Sequence, residues 1–117
     1  MNWEIEFYSD FESEFDTFDE SVQDECLAYL KLLAEFGPKL KRPHVDTLNG
    51  SKHANMKELR FSADDGVWRI VFAFDPMRKA IVLVGGDKSG VSSSAFYKKL
   101  IKKADKRFDN HLSNIKK

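Results

Sequence analysis

MKELRFSADDGVWRIVFAF, residues 56–74, reads as two apolar strands, Met56 to Ser62 and Val67 to Phe74, joined by Ala63, Asp64, Asp65 and Gly66. Asp-Gly between alternating apolar runs is a strong hairpin signal. Side chains alternate faces along a strand, so Leu59 and Phe61 share a face with Trp68, Ile70, Phe72 and Phe74 if the loop is even. The other face carries Glu58, Arg60 and Arg69, with Val71 and Ala73 beside them. A guanidinium cannot shed its charge when buried, so two of them on one sheet face suggest a surface kept open for an anion. The plainer alternative is an ion pair, with Glu58 bonding Arg60 or Arg69 across an exposed sheet face.

Outward from the hairpin, Trp3 to Tyr8 alternates as a short strand. Ser9 or Asp10 can cap a short helix with Phe11, Phe15 and Phe18 on one side, and Asp19 can cap a second. That second helix carries Val22, Cys26, Tyr29, Leu30, Leu33 and Phe36 at three- and four-residue spacing, and Gly37-Pro38 stops it. Residues 37–55 read as a basic, irregular connection with Lys39, Lys41, Arg42, His44, Lys52 and His53. After the hairpin, Asp75-Pro76 supplies a turn into a third strand, Ala80 to Gly85, whose continuous apolar run fits a strand covered on both faces. Ser92 or Ser93 caps the last helix, which runs to about Ile115 on a stripe of Phe96, Leu100, Ile101, Ala104, Phe108, Leu112 and Ile115.

The 117 residues suit one domain, 1–117, with a single core. The formal net charge of zero hides a segregation. Residues 1–36 hold eleven acids and one lysine, a net of −10, and residues 37–117 hold eight acids and eighteen Lys or Arg, a net of +10. The clustering of the basic residues points to a polyanion partner. Cys26 is the one cysteine and lies on an apolar stripe, so it reads as a small buried hydrophobe. His44, His53 and His111 lack metal-ligand spacing, and no metal or other cofactor is expected. The run Gly85-Gly86-Asp87-Lys88-Ser89-Gly90 lacks the spacing of a phosphate loop. No apolar run is long enough to span a bilayer and no secretory signal is visible, so a cytoplasmic chain without membrane contact is expected.

Three stretches, LNGSKHANMKELRF at 48–61, DDGVWRIVFAFDP at 64–76 and GGDKSGVSSSAFYKKLIKKADKRFD at 85–109, carry a resemblance. The chain resembles the RelE/ParE toxin superfamily of type II toxin–antitoxin modules, in its HigB-like, phage-protein-derived branch. The resemblance implies an α+β, RelE-like fold: an N-terminal strand and helical hairpin, a three-stranded antiparallel sheet and a C-terminal helix, with the helices on one sheet face. It implies a toxin that cuts translated mRNA on the ribosome without a metal, by attack of the 2′-hydroxyl on the adjacent phosphate. A small cognate antitoxin, of helix-turn-helix type, is the expected partner. Within that resemblance Arg69 and Arg60 would stabilise the phosphate, Lys88 would neutralise it or assist proton transfer, and Glu58 would be either the base or an orienting partner of an arginine. Lys52 and His53 fall in a substrate-contacting loop, and Lys57, Lys98 and Lys102 complete the expected RNA-binding set. Some relatives use a His or Tyr near the end of the last strand, where this chain has Gly85, Gly86 and Asp87. Other superfamily members poison gyrase by protein contact, so a non-catalytic toxin stands as the alternative.

Overall fold

The computed structural model describes residues 2–116. In chain order they form β1 (Glu4–Phe7), α1 (Ser9–Phe15), α2 (Glu20–Phe36), β2 (Val45–Thr47), β3 (Met56–Ala63), β4 (Gly66–Phe74), β5 (Lys79–Asp87) and α3 (Ser93–Ile115). The central hairpin is tighter than its sequence suggested. Ala63 and Gly66 pair with each other, which leaves Asp64 and Asp65 as a two-residue turn. Both aspartates have positive φ, 51° and 61°, as the hairpin turn matching strand twist requires and as Asp tolerates better than most residues. The even turn puts Arg60 opposite Arg69, so the two arginines do share a face.

Two features of the expected fold are corrected. The sheet has five strands in the order β1-β5-β4-β3-β2, not three, and it is mixed because β1 runs parallel to β5. The added edge strand, β2, lies inside the segment read as irregular and pairs antiparallel with β3. The helices also pack on both sheet faces rather than one. Phe11, Phe15, Val22, Cys26, Leu30 and Leu33 of α1 and α2 bury against Leu59, Phe61, Ile70, Phe72, Ala80 and Val82. On the opposite face Leu100, Ala104 and Phe108 of α3 bury against Met56, Val71, Ala73, Ile81, Leu83 and Val84. Covering both faces explains why β5 is apolar at every position from Ala80 to Val84. The face that carries Glu58 and the two arginines is therefore roofed by α3 over its apolar half.

Local signals place these helices. Ser92 caps α3, its hydroxyl accepting from the Ala95 amide at 3.3 Å. Gly37 ends α2 with φ +56°, and a Cβ there would run into the Trp3 indole. Arg107 crosses from α3 to clamp Glu14 of α1 through two hydrogen bonds of 2.8 and 2.6 Å, and it also donates to the Leu83 carbonyl at 2.7 Å. Asp75 accepts from the amides of Met77 and Lys79 and pairs with His111 of α3 at 2.8 Å, pinning the far end of the helix to the β4–β5 turn. No helix is long and apolar enough to cross a membrane among the described residues.

Phe11 is fully buried, with its ring centroid 5.0, 5.9 and 6.2 Å from those of Phe7, Phe15 and Phe18. Phe11→Ala should cost about 3–5 kcal/mol by removing apolar area and leaving a cavity. A urea melt read by tryptophan fluorescence checks this; a midpoint unchanged within error would place the core elsewhere.

Candidate functional site

Arg60 and Arg69 converge on one carboxylate. Arg60 Nη1 donates to Glu58 Oε2 at 3.3 Å, and Arg69 Nε lies 3.6 Å from Glu58 Oε1. Between them stands Tyr97 of α3, whose hydroxyl donates to Glu58 Oε1 at 2.7 Å and accepts from Arg69 Nε at 3.1 Å. Arg69 is further tied down by donation from Nη1 to the Trp68 carbonyl at 2.9 Å. The ion-pair alternative raised by the sequence is thus present, but under a helix rather than on an open sheet face. A carboxylate this buried is tolerable only because both of its oxygens are satisfied by donors.

The two arginines do not have equal access. The Arg60 side chain keeps 27% of its exposure and the Arg69 side chain 7%, so only Arg60 can meet a ligand without rearrangement. Arg60 lines a cleft of about 330 Å³ together with Arg42, Asp46, Thr47, Leu48, Asn49, Glu58 and Tyr97. One wall is β2 and the turn after it, inside the segment whose sequence reads as irregular; the opposite wall is Tyr97 on α3. Arg42 adds a second cation at the mouth, held by Asp46 at 2.6 Å.

A β-bulge and a glycine bring α3 to this position. Val71 pairs with Val84 and Phe72 with Val82, so Leu83 is the extra residue and the alternation of β5 inverts beyond it. Gly86 consequently pairs with Arg69 and faces α3, where a Cβ would sit 3.1 Å from the Phe96 ring. Without a side chain there, Phe96 settles over β5 and its neighbour Tyr97 reaches Arg69. Lys88 stands just beyond, its ammonium 5.9 Å from the Tyr97 ring centroid. Its backbone is fixed by donation to the Val67 carbonyl at 2.8 Å. The adjacent Asp87 braces the turn. Burial pushes its carboxyl up, but donation from the Ser89 hydroxyl and the Ser89 and Val67 amides holds it below the usual range.

The remaining expected RNA-binding residues lie apart from this cluster. Lys52 and His53 both engage Asp109 of α3, with the His53 ring 2.8 Å from the carboxylate. Lys57 points to the other sheet face, where it donates to Thr47 at 3.0 Å. Lys98 and Lys102 are exposed on α3. Tyr97 is the functional candidate that sequence reasoning missed. The available signal was a hydroxyl-bearing ring at the margin of the α3 apolar stripe, next to Phe96, on a helix that the sequence did not place over the arginines. Tyr97's hydroxyl is held above the ordinary phenol range, first by burial and then by its bond to Glu58, with Arg69 pulling the other way. Cys26 is no rival nucleophile, since burial pushes its thiol up to about 12.

Comparison with known proteins supplies the context. Residues 13–109 match the family described as phage derived protein Gp49-like. The chain is 44% identical over 98 residues to the candidate toxin HigB2 of Mycobacterium tuberculosis, a match covering 83% of this chain and 48% of that protein. It is 48% identical over 85 residues to the candidate toxin HigB3 of the same organism, covering 73% of this chain and 72% of the relative. The chain thus spans about half the length of HigB2. In fold it is similar to a free double arginine-to-alanine mutant of the E. coli toxin RelE, with a TM-score of 0.65 and 16% identity over 92% of this chain and 98% of RelE. It is also similar to isolated E. coli RelE, with a TM-score of 0.57 and 15% identity over 86% and 96% of the two chains.

Proposed function

The chain belongs to the phage derived Gp49-like protein family, and on that footing we propose that it is the toxin of a toxin–antitoxin module and acts as a metal-independent endoribonuclease on ribosome-bound mRNA. Its homology to the candidate HigB toxins and its RelE-like fold support the toxin class. The observation that carries the chemistry is the cleft in which Arg60 meets Tyr97 and Glu58, with Arg42 at the rim. A phosphate in that cleft exchanges its hydration for the Arg60 guanidinium, which bonds Glu58 through Nη1 at 3.3 Å and keeps its other N–H groups for the phosphate. As the 2′-oxygen attacks, negative charge grows on the phosphoryl oxygens and a positioned cation stabilises that state more than the ground state. Arg69 acts from beneath, by fixing Tyr97 and Glu58. Lys88 adds positive charge on the outer side of the ring.

Exposed lysines outside the cleft then hold the RNA strand on either side of the scissile bond. In this reading the exposed Lys98 and Lys102 serve this role, and Lys52 joins them by exchanging Asp109 for phosphate. Each lost contact to single-stranded RNA should lower the salt-dependence slope of binding by about 0.7. Lys98→Ala with Lys102→Ala should therefore flatten a plot of log affinity against log salt by about 1.4 while leaving the melting temperature in place. An unchanged slope would remove this helix from the RNA path. The reaction class is tested by end chemistry on a message cut by the purified protein on translating ribosomes. A 2′,3′-cyclic phosphate facing a 5′-hydroxyl is expected; hydrolytic 3′-hydroxyl ends would refute internal attack. The partner in this reading is a cognate antitoxin that neutralises the toxin.

A further inference from the structure

We propose that Tyr97 is a catalytic residue of this reaction: its phenol oxygen takes the proton from the attacking 2′-hydroxyl and hands its own proton to Glu58. The inference rests on the ribonuclease reading above. A phenol has one proton and two lone pairs. The Tyr97 proton is committed to Glu58 at 2.7 Å and one lone pair to Arg69 at 3.1 Å. The second lone pair has no hydrogen-bond donor among the described residues, and Tyr97 forms a wall of the cleft that Arg60 enters. Glu58 itself is poorly placed to meet a substrate hydroxyl. Its side chain is 6% exposed, and Tyr97 and Arg60 each hold one of its oxygens. A proton bound for this carboxylate therefore passes through the phenol.

In this step the proton of the 2′-hydroxyl moves to Tyr97 Oη as the Tyr97 proton moves to Glu58 Oε1. The bond from the 2′-oxygen to phosphorus forms and the bond from phosphorus to the 5′-oxygen breaks. The departing 5′-oxygen takes a proton from water in the open cleft, and Glu58 returns its proton to solvent through Tyr97. Neither hydroxyl needs to exist as a free anion, which matters because burial and Glu58 both keep the phenol protonated near neutrality. Arg69 Nε and the Lys88 ammonium stabilise charge on the phenol oxygen while both protons are in flight.

Single-turnover cleavage of ribosome-bound message tests the assignment. Tyr97→Phe should lower the rate about 10²–10³-fold while leaving affinity for an unreactive message, 2′-deoxy at the cut site, within about twofold. Its residual rate should rise tenfold per pH unit, as expected for hydroxide from solvent, where the wild-type rate does not. A rate within threefold of wild type with an unchanged pH profile would overturn the proposal while leaving the nuclease reading intact. If the wild-type protein itself cuts no message, both fall together. 3-Fluorotyrosine at position 97, which keeps the hydroxyl and its bonds, covers the case of a Tyr97→Phe chain that fails to fold. Its more acidic phenol must change the cleavage rate, and an identical rate would count against the relay.

Discussion

Arg60→Ala is expected to abolish growth arrest and to lower message cleavage by about 10²–10³-fold, the loss typical of one preorganised charge donor. The melting temperature should move by no more than a few degrees. The asymmetry follows from the cluster: when Arg60 goes, Glu58 Oε1 keeps Tyr97 at 2.7 Å and Arg69 at 3.6 Å, and only Oε2, which lines the open cleft and can be hydrated there, loses its donor. Arg69→Ala is a less informative variant, because a guanidinium this buried is needed by Glu58, Tyr97 and the Trp68 carbonyl together. Its loss should lower activity and stability at once. Growth curves with paired thermal melts separate the two arginines, and equal stability losses would make Arg60 a structural residue like its neighbour.

Arg107→Ala should lower stability by about 2–3 kcal/mol. Removing one partner of a wholly buried pair costs roughly 3–5 kcal/mol; the lower figure applies because the Glu14 side chain retains 37% exposure. The cost includes the Leu83 carbonyl, left without its side-chain donor. The same clamp sets an acid response. The Arg107 hydrogen bond, partly offset by burial, holds the Glu14 carboxyl below its usual range. Its stabilisation is therefore complete above the unfolded-chain value of about 4.3 and is lost as pH falls through the lower folded value. Thermal melts from pH 7 down to pH 3 should show the gap between wild type and Arg107→Ala shrinking below about pH 4. A gap constant across that range would mean that the ion pair contributes nothing.

Much of the fold could be read from local pattern. The Asp-Gly hairpin and its parity, the 3.6-residue stripes of α2 and α3, and the Ser92 cap are all short-range signals, and they appear where the residues put them. β2 was hidden because three residues, Val45, Asp46 and Thr47, are too few to show alternation and follow a proline. The side on which α3 packs was also missed, although the face carrying the arginines offered a clue. Met56, Val71 and Ala73 are apolar beside Glu58 and Arg60, and such a half-apolar face needs a cover over that half. The arginine pair was legible in the candidate site because alternation alone places it. Tyr97 was not, since its partner Glu58 lies 39 residues away and only the packing of α3 brings them together. Lys57 is the converse case: its parity with Leu59 already put it on the other face, away from Arg60.

Primer extension along a reporter message in cells producing the protein, run with the reporter's start codon intact and destroyed, shows whether translated mRNA is cut. Breaks at fixed positions within codons, present only when the message is translated and absent with Arg60→Ala, are the predicted result. Growth arrest with the reporter intact from end to end would mean that the protein acts by some route other than cutting mRNA.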